Sequence, residues 1–204
     1  MKYIFVSGAP GSKWSSVVKN IYWSPSIDQS DHSEQRTYAH HGAYNGTTMH
    51  LGSYFDPGME FGTWFDKLDG HTPQECEQEF DRPFQGTGVR IIKSHMFCYH
   101  IEFLKRSWPH CPVVMVYRNT PACLEWWQHC GGFSIGYPDY TKYYQDMDFM
   151  QTEITRQNQA MMLCFDQGHA VNNNWELCAA LHIEPPPTQY QQTYAAHDIQ
   201  VKVY

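Results

Sequence analysis

Short, continuous apolar runs alternate along the chain with segments of helical periodicity. Tyr3–Ser7, Val89–Lys93 and Pro112–Tyr117 are apolar at nearly every position, the pattern of strands buried on both faces. The first run is stopped by Gly8, Pro10 and Gly11 and followed by a predicted helix over Lys13–Tyr22, with Ser12 as its expected N-cap. The second ends just before His95 and leads to a predicted helix over Ile101–Trp108. The third leads to one over Thr120–His129, where Pro121 fits the first turn. A long helix is predicted over Asp146–Asp166 and a shorter one over Asn174–His182, closed by Pro185–Pro187. The tail, Thr188–Tyr204, has room for one edge strand.

Strands that alternate with helices and are apolar throughout imply an α/β fold. The expected architecture is three-layered and P-loop-like: a central, mainly parallel sheet flanked by helices. Its 204 residues fit a single domain spanning 1–204. Residues 24–87 lack periodicity and are rich in Gly, Ser, His, Asp and aromatics. So long an irregular stretch inside a compact domain is more often functional than idle, so these residues are read as an insertion.

Composition narrows the function class. A formal charge of −7 argues against a nonspecific nucleic-acid binder, whose surface carries a basic face. One local positive pocket still suffices for a small anionic nucleotide. Seven cysteines without a CxxC pair indicate neither a disulfide framework nor a zinc ribbon. The apolar run behind Met1 is about five residues, too short for a signal segment or a membrane span. A cytoplasmic setting, with no membrane partner, is the expectation. The histidines are scattered, and the adjacent His40 and His41 do not suggest a metal site, so none is expected.

Ligands in open α/β sheets sit at the carboxyl ends of the strands, and three segments with chemistry fall there. Gly8-Ala-Pro10-Gly11-Ser12-Lys13-Trp14-Ser15-Ser16 joins a strand to a helix through a glycine turn. Backbone N–H groups, the helix N-terminus, the Lys13 charge and the serine hydroxyls together suit a phosphate. One residue is lacking before the lysine for a Walker A loop. Arg90-Ile-Ile-Lys93-Ser-His95 brings a lysine and a histidine to a strand end. Histidine can take a proton from an alcohol and lysine can neutralise a transferring group. Val113-Val-Met-Val-Tyr-Arg118-Asn119 ends a strand in a guanidinium, whose fork binds two oxygens of a phosphate. The predicted strands carry no Asp or Glu, the residues with which P-loop kinases hold Mg²⁺.

RIIKSHMF followed by HCPVVMVYRNTPACLEWW resembles the nucleotide-dependent sulfotransferases, in which a strand ends in K-[ST]-H and a later one in R-[ND] before a helix. FVSGAPGSKWSS is similar to their 5′-phosphosulfate loop, and WELCAALHIEPP to the short helix after their core. The resemblance covers about residues 1–23 and 88–185. It implies 3′-phosphoadenylyl sulfate as donor, held by Pro10, Gly11, Ser12, Lys13, Trp14, Ser15, Ser16 and Arg118, with Arg118 on the 3′-phosphate. His95 matches the family's base and Lys93 the lysine beside it, with Lys13 assisting. Lys13 lies two positions later than the family's loop lysine, and Trp126 stands where the family's helix carries a serine.

The expected function is therefore transfer of a sulfuryl group to a small-molecule or glycan acceptor. Tyr54, Phe55, Phe61, Trp64 and Phe65 are assigned to the acceptor pocket. Two other readings stay open: a P-loop kinase-like phosphotransferase, and a non-catalytic binding protein on the same fold.

Overall fold

The computed structural model describes residues 1–31, 51–55, 68–134, 146–187 and 193–204. Phe61, Trp64, Phe65, His40 and His41 lie outside these residues. Six strands form one mixed sheet: β1 (Tyr3–Gly8), β2 (Ser53–Tyr54), β3 (Arg90–Lys93), β4 (Val113–Tyr117), β5 (His169–Val171) and β6 (Gln200–Val203), in the order β2-β3-β1-β4-β6-β5. The first four in that order run parallel, whereas β6 is antiparallel to both β4 and β5. β1 is the switch point of the topology, with β3 on one side and β4 on the other, and the carboxyl end of such a strand is where ligands bind in open α/β sheets.

Every residue of β1 is buried, and its side chains divide by alternation. Ile4 and Val6, with Val114 and Val116, pack on α1 (Trp14–Tyr22) and on α6 (Asn174–Ala180). Tyr3 and Phe5, with Val113 and Met115, pack on α2 (Pro73–Asp81), α3 (Ile101–Ser107) and α5 (Met147–Phe165). At the carboxyl end, α4 (Thr120–His129) and α5 close over Ala9 through Cys123, Trp127, Met150 and Ile154. All seven cysteines are free and buried. Among the described residues no helix is long and apolar enough to cross a membrane.

Four expectations are corrected. The tail strand is not an edge: β6 lies between β4 and β5, and the short β5 forms that edge. The stretch 24–87 is not irregular throughout. It holds β2, and α2 starts with a capping box in which Thr72 Oγ1 accepts from the Glu75 N–H while Glu75 accepts from the Thr72 N–H. Ser12 does not cap α1; Lys13 occupies that position in the left-handed region without a side-chain cap bond. The helix predicted to reach His182 stops at Ala180, because His182 itself has φ 52°.

Candidate functional site

The loop after β1 is shaped by two glycines. A Cβ on Gly8 would lie 2.6 Å from Ser12 Oγ and 2.8 Å from the Val116 carbonyl oxygen. Gly11 has φ 79°, and a Cβ there would lie 1.9 Å from the carbonyl oxygen of Cys123 on α4. The loop therefore presses against α4, and Pro10 and Ser12 are buried within it.

With Gly11 at φ 79° and Lys13 at φ 65°, left-handed residues flank Ser12. Left-handed residues in such a turn can aim neighbouring N–H groups at one anion. Ser12 and Ser16 close their N–H groups on the Ala9 and Lys13 carbonyls, each at 2.9 Å. Among the described residues the N–H groups of Gly11, Lys13, Trp14 and Ser15 meet no protein acceptor. The Ser12 hydroxyl, fully buried, meets none either. These donors sit at the positive end of α1.

Arg118 stands beside the loop at the end of β4 and is 9% exposed. Its Nη1 donates to the Ala122 carbonyl at 2.7 Å and reaches the Gly11 carbonyl at 3.4 Å. Among the described residues, the buried Nε has no acceptor and Nη2 meets none. The Nε–Nη2 edge, the one that can receive two oxygens of an oxyanion, thus has no protein acceptor among the described residues. The backbone behind it is clamped: the Arg118 carbonyl accepts from Asn158 Nδ2 at 2.9 Å and from the Cys123 thiol at 3.3 Å.

Lys13 lies on this same side. Its ammonium sits 4.3 Å from the centroid of the Trp126 ring. Burial, and next the Arg118 charge, lower its pKa, against an opposing pull from Asp198. Cys130, one turn beyond Trp126, is pushed up to about 11 by burial, so its thiol is neutral here.

Lys93 and His95 occupy the other flank of β1. The His95 ring stacks on Trp14 with centroids 4.0 Å apart and meets the edge of Tyr54 at 5.8 Å. Its Nδ1 is hydrogen-bonded to the carbonyl oxygen of Gly8. A carbonyl only accepts, so Nδ1 carries the hydrogen and the Nε2 lone pair is the basic one. The Lys93 ammonium, fully buried, lies 5.7 Å from the Trp14 ring and 5.4 Å from the Tyr54 ring.

The predicted residues therefore form two groups around one strand end. Lys13 and Arg118 gather against α4, while Lys93 and His95 gather under Trp14 and Tyr54. No hydrogen bond, ion pair or ring contact joins Lys13 to Lys93 or His95. Trp14 does more than the sequence reading assigned to it, since its side chain, 5% exposed, covers His95. Ser15 and Ser16 open α1 half-buried. Phe55 is fully buried with Phe80 and belongs to the core. Asn158 escaped the sequence reading: an asparagine inside a helix gives no local sign that it holds a distant carbonyl. Comparison with protein-family models, curated proteins and solved structures returns no match for the chain.

Proposed function

We propose that the chain is a sulfotransferase on a P-loop-like α/β core, moving a sulfuryl group from 3′-phosphoadenylyl sulfate to a hydroxyl or amine of a small molecule or glycan. One observation carries this reading: four unmet loop N–H groups and the buried Ser12 hydroxyl stand beside the unmet Nε–Nη2 edge of Arg118. That is a set of donors without acceptors at a helix N-terminus, the composition of a phosphate or sulfate site. When bound, the donor supplies an activated sulfuryl group and a nucleotide bisphosphate leaving group.

The chain's own residues divide the remaining work. The loop N–H groups of Gly11, Lys13, Trp14 and Ser15 and the Ser12 hydroxyl hold one oxyanion, and Arg118 holds a second. His95 takes the acceptor's proton on Nε2 while Nδ1–H stays on Gly8. The acceptor's oxygen or nitrogen bonds to sulfur as the bond from sulfur to the leaving phosphate oxygen breaks. Lys93 supplies positive charge behind that centre, and Tyr54 borders it.

Calorimetric titration with adenosine 3′,5′-bisphosphate tests the site. Micromolar binding is expected, and Arg118→Ala is expected to weaken it by about 1.5–3 kcal/mol, as for a charged hydrogen bond. Equal binding by wild type and variant would remove Arg118 from the site. Turnover from labelled donor, run in excess chelator, tests the chemistry.

A second reading is favoured by the cover that Trp14 and Tyr54 place over His95, which is 6% exposed. On that reading the chain binds the nucleotide and transfers nothing. Bisphosphate binding without turnover, across a panel of phenols, amines and sugars, selects it. Phosphoryl transfer from ATP with Mg²⁺ would select a kinase instead.

A further inference from the structure

The two cations on the α4 flank are not equivalent in what holds them. Arg118 is fixed by carbonyls, through Nη1 to Ala122 and Gly11. Lys13 has no carboxylate or carbonyl on its ammonium among the described residues, and what it touches is the Trp126 ring. Ala122 and Trp126 are four residues apart on α4, so they share one face of that helix. Arg118, at the Ala122 carbonyl, and Lys13, at the Trp126 ring, thus meet adjacent turns of α4, and the Arg118 charge helps to lower the Lys13 pKa after burial. Trp126 is itself braced by His129, whose ring lies 5.1 Å away at 31°.

Two cations side by side repel. In the absence of a bound anion, something must hold Lys13 against that repulsion, and a half-buried indole face does so without neutralising the charge. A carboxylate partner would have cancelled the field; an aromatic partner keeps it available. Lys13 sits at the N-cap position of α1 in the left-handed region and makes no side-chain cap bond there, while its ammonium meets Trp126 on α4.

We propose that Trp126 is a positioning residue that stations the Lys13 ammonium next to the unmet Nε–Nη2 edge of Arg118, building a two-cation subsite for a phosphate monoester dianion at the mouth of the loop. It rests on the reading of this loop as an anion site, and it gives Lys13 to a terminal phosphate rather than to the group being transferred. The subsite selects ligands that carry a dianionic phosphate at this point over those that carry a hydroxyl there.

The test compares wild type, Trp126→Leu and Trp126→Phe with three probes: adenosine 3′,5′-bisphosphate, adenosine 5′-monophosphate and inorganic phosphate. Affinities are read by calorimetry for the nucleotides and by NMR titration for phosphate. Trp126→Leu is expected to lower the bisphosphate-over-monophosphate preference about tenfold, the scale of one cation–π contact, and Trp126→Phe to restore most of it. A merely structural role for Trp126 would weaken both nucleotides alike, leave the preference unchanged and overturn the proposal. Should neither nucleotide bind wild type, phosphate separates the two readings. Phosphate binding that is lost in Trp126→Leu and regained in Trp126→Phe upholds the two-cation subsite while the nucleotide reading falls. Phosphate binding that is absent, or equal in all three proteins, overturns the subsite.

Discussion

The Nδ1–H of His95 donates to the carbonyl oxygen of Gly8, the last residue of β1, across 87 positions of sequence. This bond fixes the imidazole's tautomer and anchors its ring, and Trp14 completes the cradle. The same histidine is therefore structural through one nitrogen and basic through the other. Substitution can separate these roles. In His95→Asn the amide nitrogen reaches the place of Nδ1 and keeps the Gly8 contact, but no base remains. The expected result is a folded protein with bisphosphate affinity within a few-fold of wild type and turnover lower by about 10²–10⁴, the usual worth of a general base. A thermal melt run beside the rate assay checks both halves. Near-normal turnover would place the base elsewhere.

Gly11→Ala should be among the most damaging single changes outside the core. The backbone there is left-handed, and the added Cβ would meet the Cys123 carbonyl oxygen, which belongs to a helix and cannot swing aside. A loss of at least about 3 kcal/mol in chemical denaturation is expected. A melt for Gly11→Ala within a degree or two of wild type would mean that the loop and α4 are not pressed together as described.

Much of this arrangement is readable from the chain, and the misses have physical causes. β1, β3, β4 and the helices after them carry unbroken apolar runs or periodicity, and both signals depend only on neighbouring residues. The capping box at Thr72 and Glu75 was equally local, and Pro73 beside it marks a helix start; the surrounding turns masked it. β5 is three residues long with two exposed, so it has no pattern to read. β6 was legible as a strand but not as an interior one, because strand order depends on pairing across the whole chain. At the site, the residue types Lys13, Lys93, His95 and Arg118 announce themselves. Their division into two groups does not, since it depends on a left-handed Lys13 and on Trp126 of a distant helix.

Asp81 ties three elements together and should make stability sensitive to acid. It takes a hydrogen bond from Tyr3 Oη at 2.8 Å, an ion pair from Lys2 at 2.9 Å and another from Arg90, joining α2 to β1 and β3. Burial pushes its pKa up, but the bonds from Lys2, Tyr3 and Arg90 together outweigh burial and the pKa falls. A carboxylate with a lowered pKa in the fold stabilises it above the unfolded value, about 3.9, and that stability is lost as pH falls through the folded value. Asp81→Asn should therefore cost about 2 kcal/mol at pH 7 and much less below about pH 3. Urea melts of the two proteins at both pH values measure this. A gap that is constant with pH would show that the lost interactions are not ionic.

Lys13 gives the opposite sign, and on the proposed reading it should make anion binding sensitive to alkali. Its pKa is lowered first by burial and then by Arg118, while Asp198 pulls the other way. A lysine with a lowered pKa disfavours the proton in the folded state, so free-protein stability rises slightly as pH climbs from the folded value toward lysine's ordinary 10.5. Anion affinity moves the other way: it needs the ammonium, and it is lost as pH climbs through the same window. The other groups nearby hold still there. Burial pushes the Cys130 thiol up to about 11, so it is mostly neutral through that window. A phosphate monoester is already dianionic above about pH 7. Bisphosphate affinity should therefore be level near pH 8 and fall before pH 10.5, earlier than for a solvent-exposed lysine. Lys13→Arg keeps its charge throughout that range and should bind with little pH dependence, while Lys13→Met should bind weakly at every pH. Calorimetry between about pH 7.5 and 10.5 on the three proteins decides the matter. Identical pH profiles for wild type and Lys13→Arg would mean that Lys13 does not meet the anion, and that its place on Trp126 is packing alone.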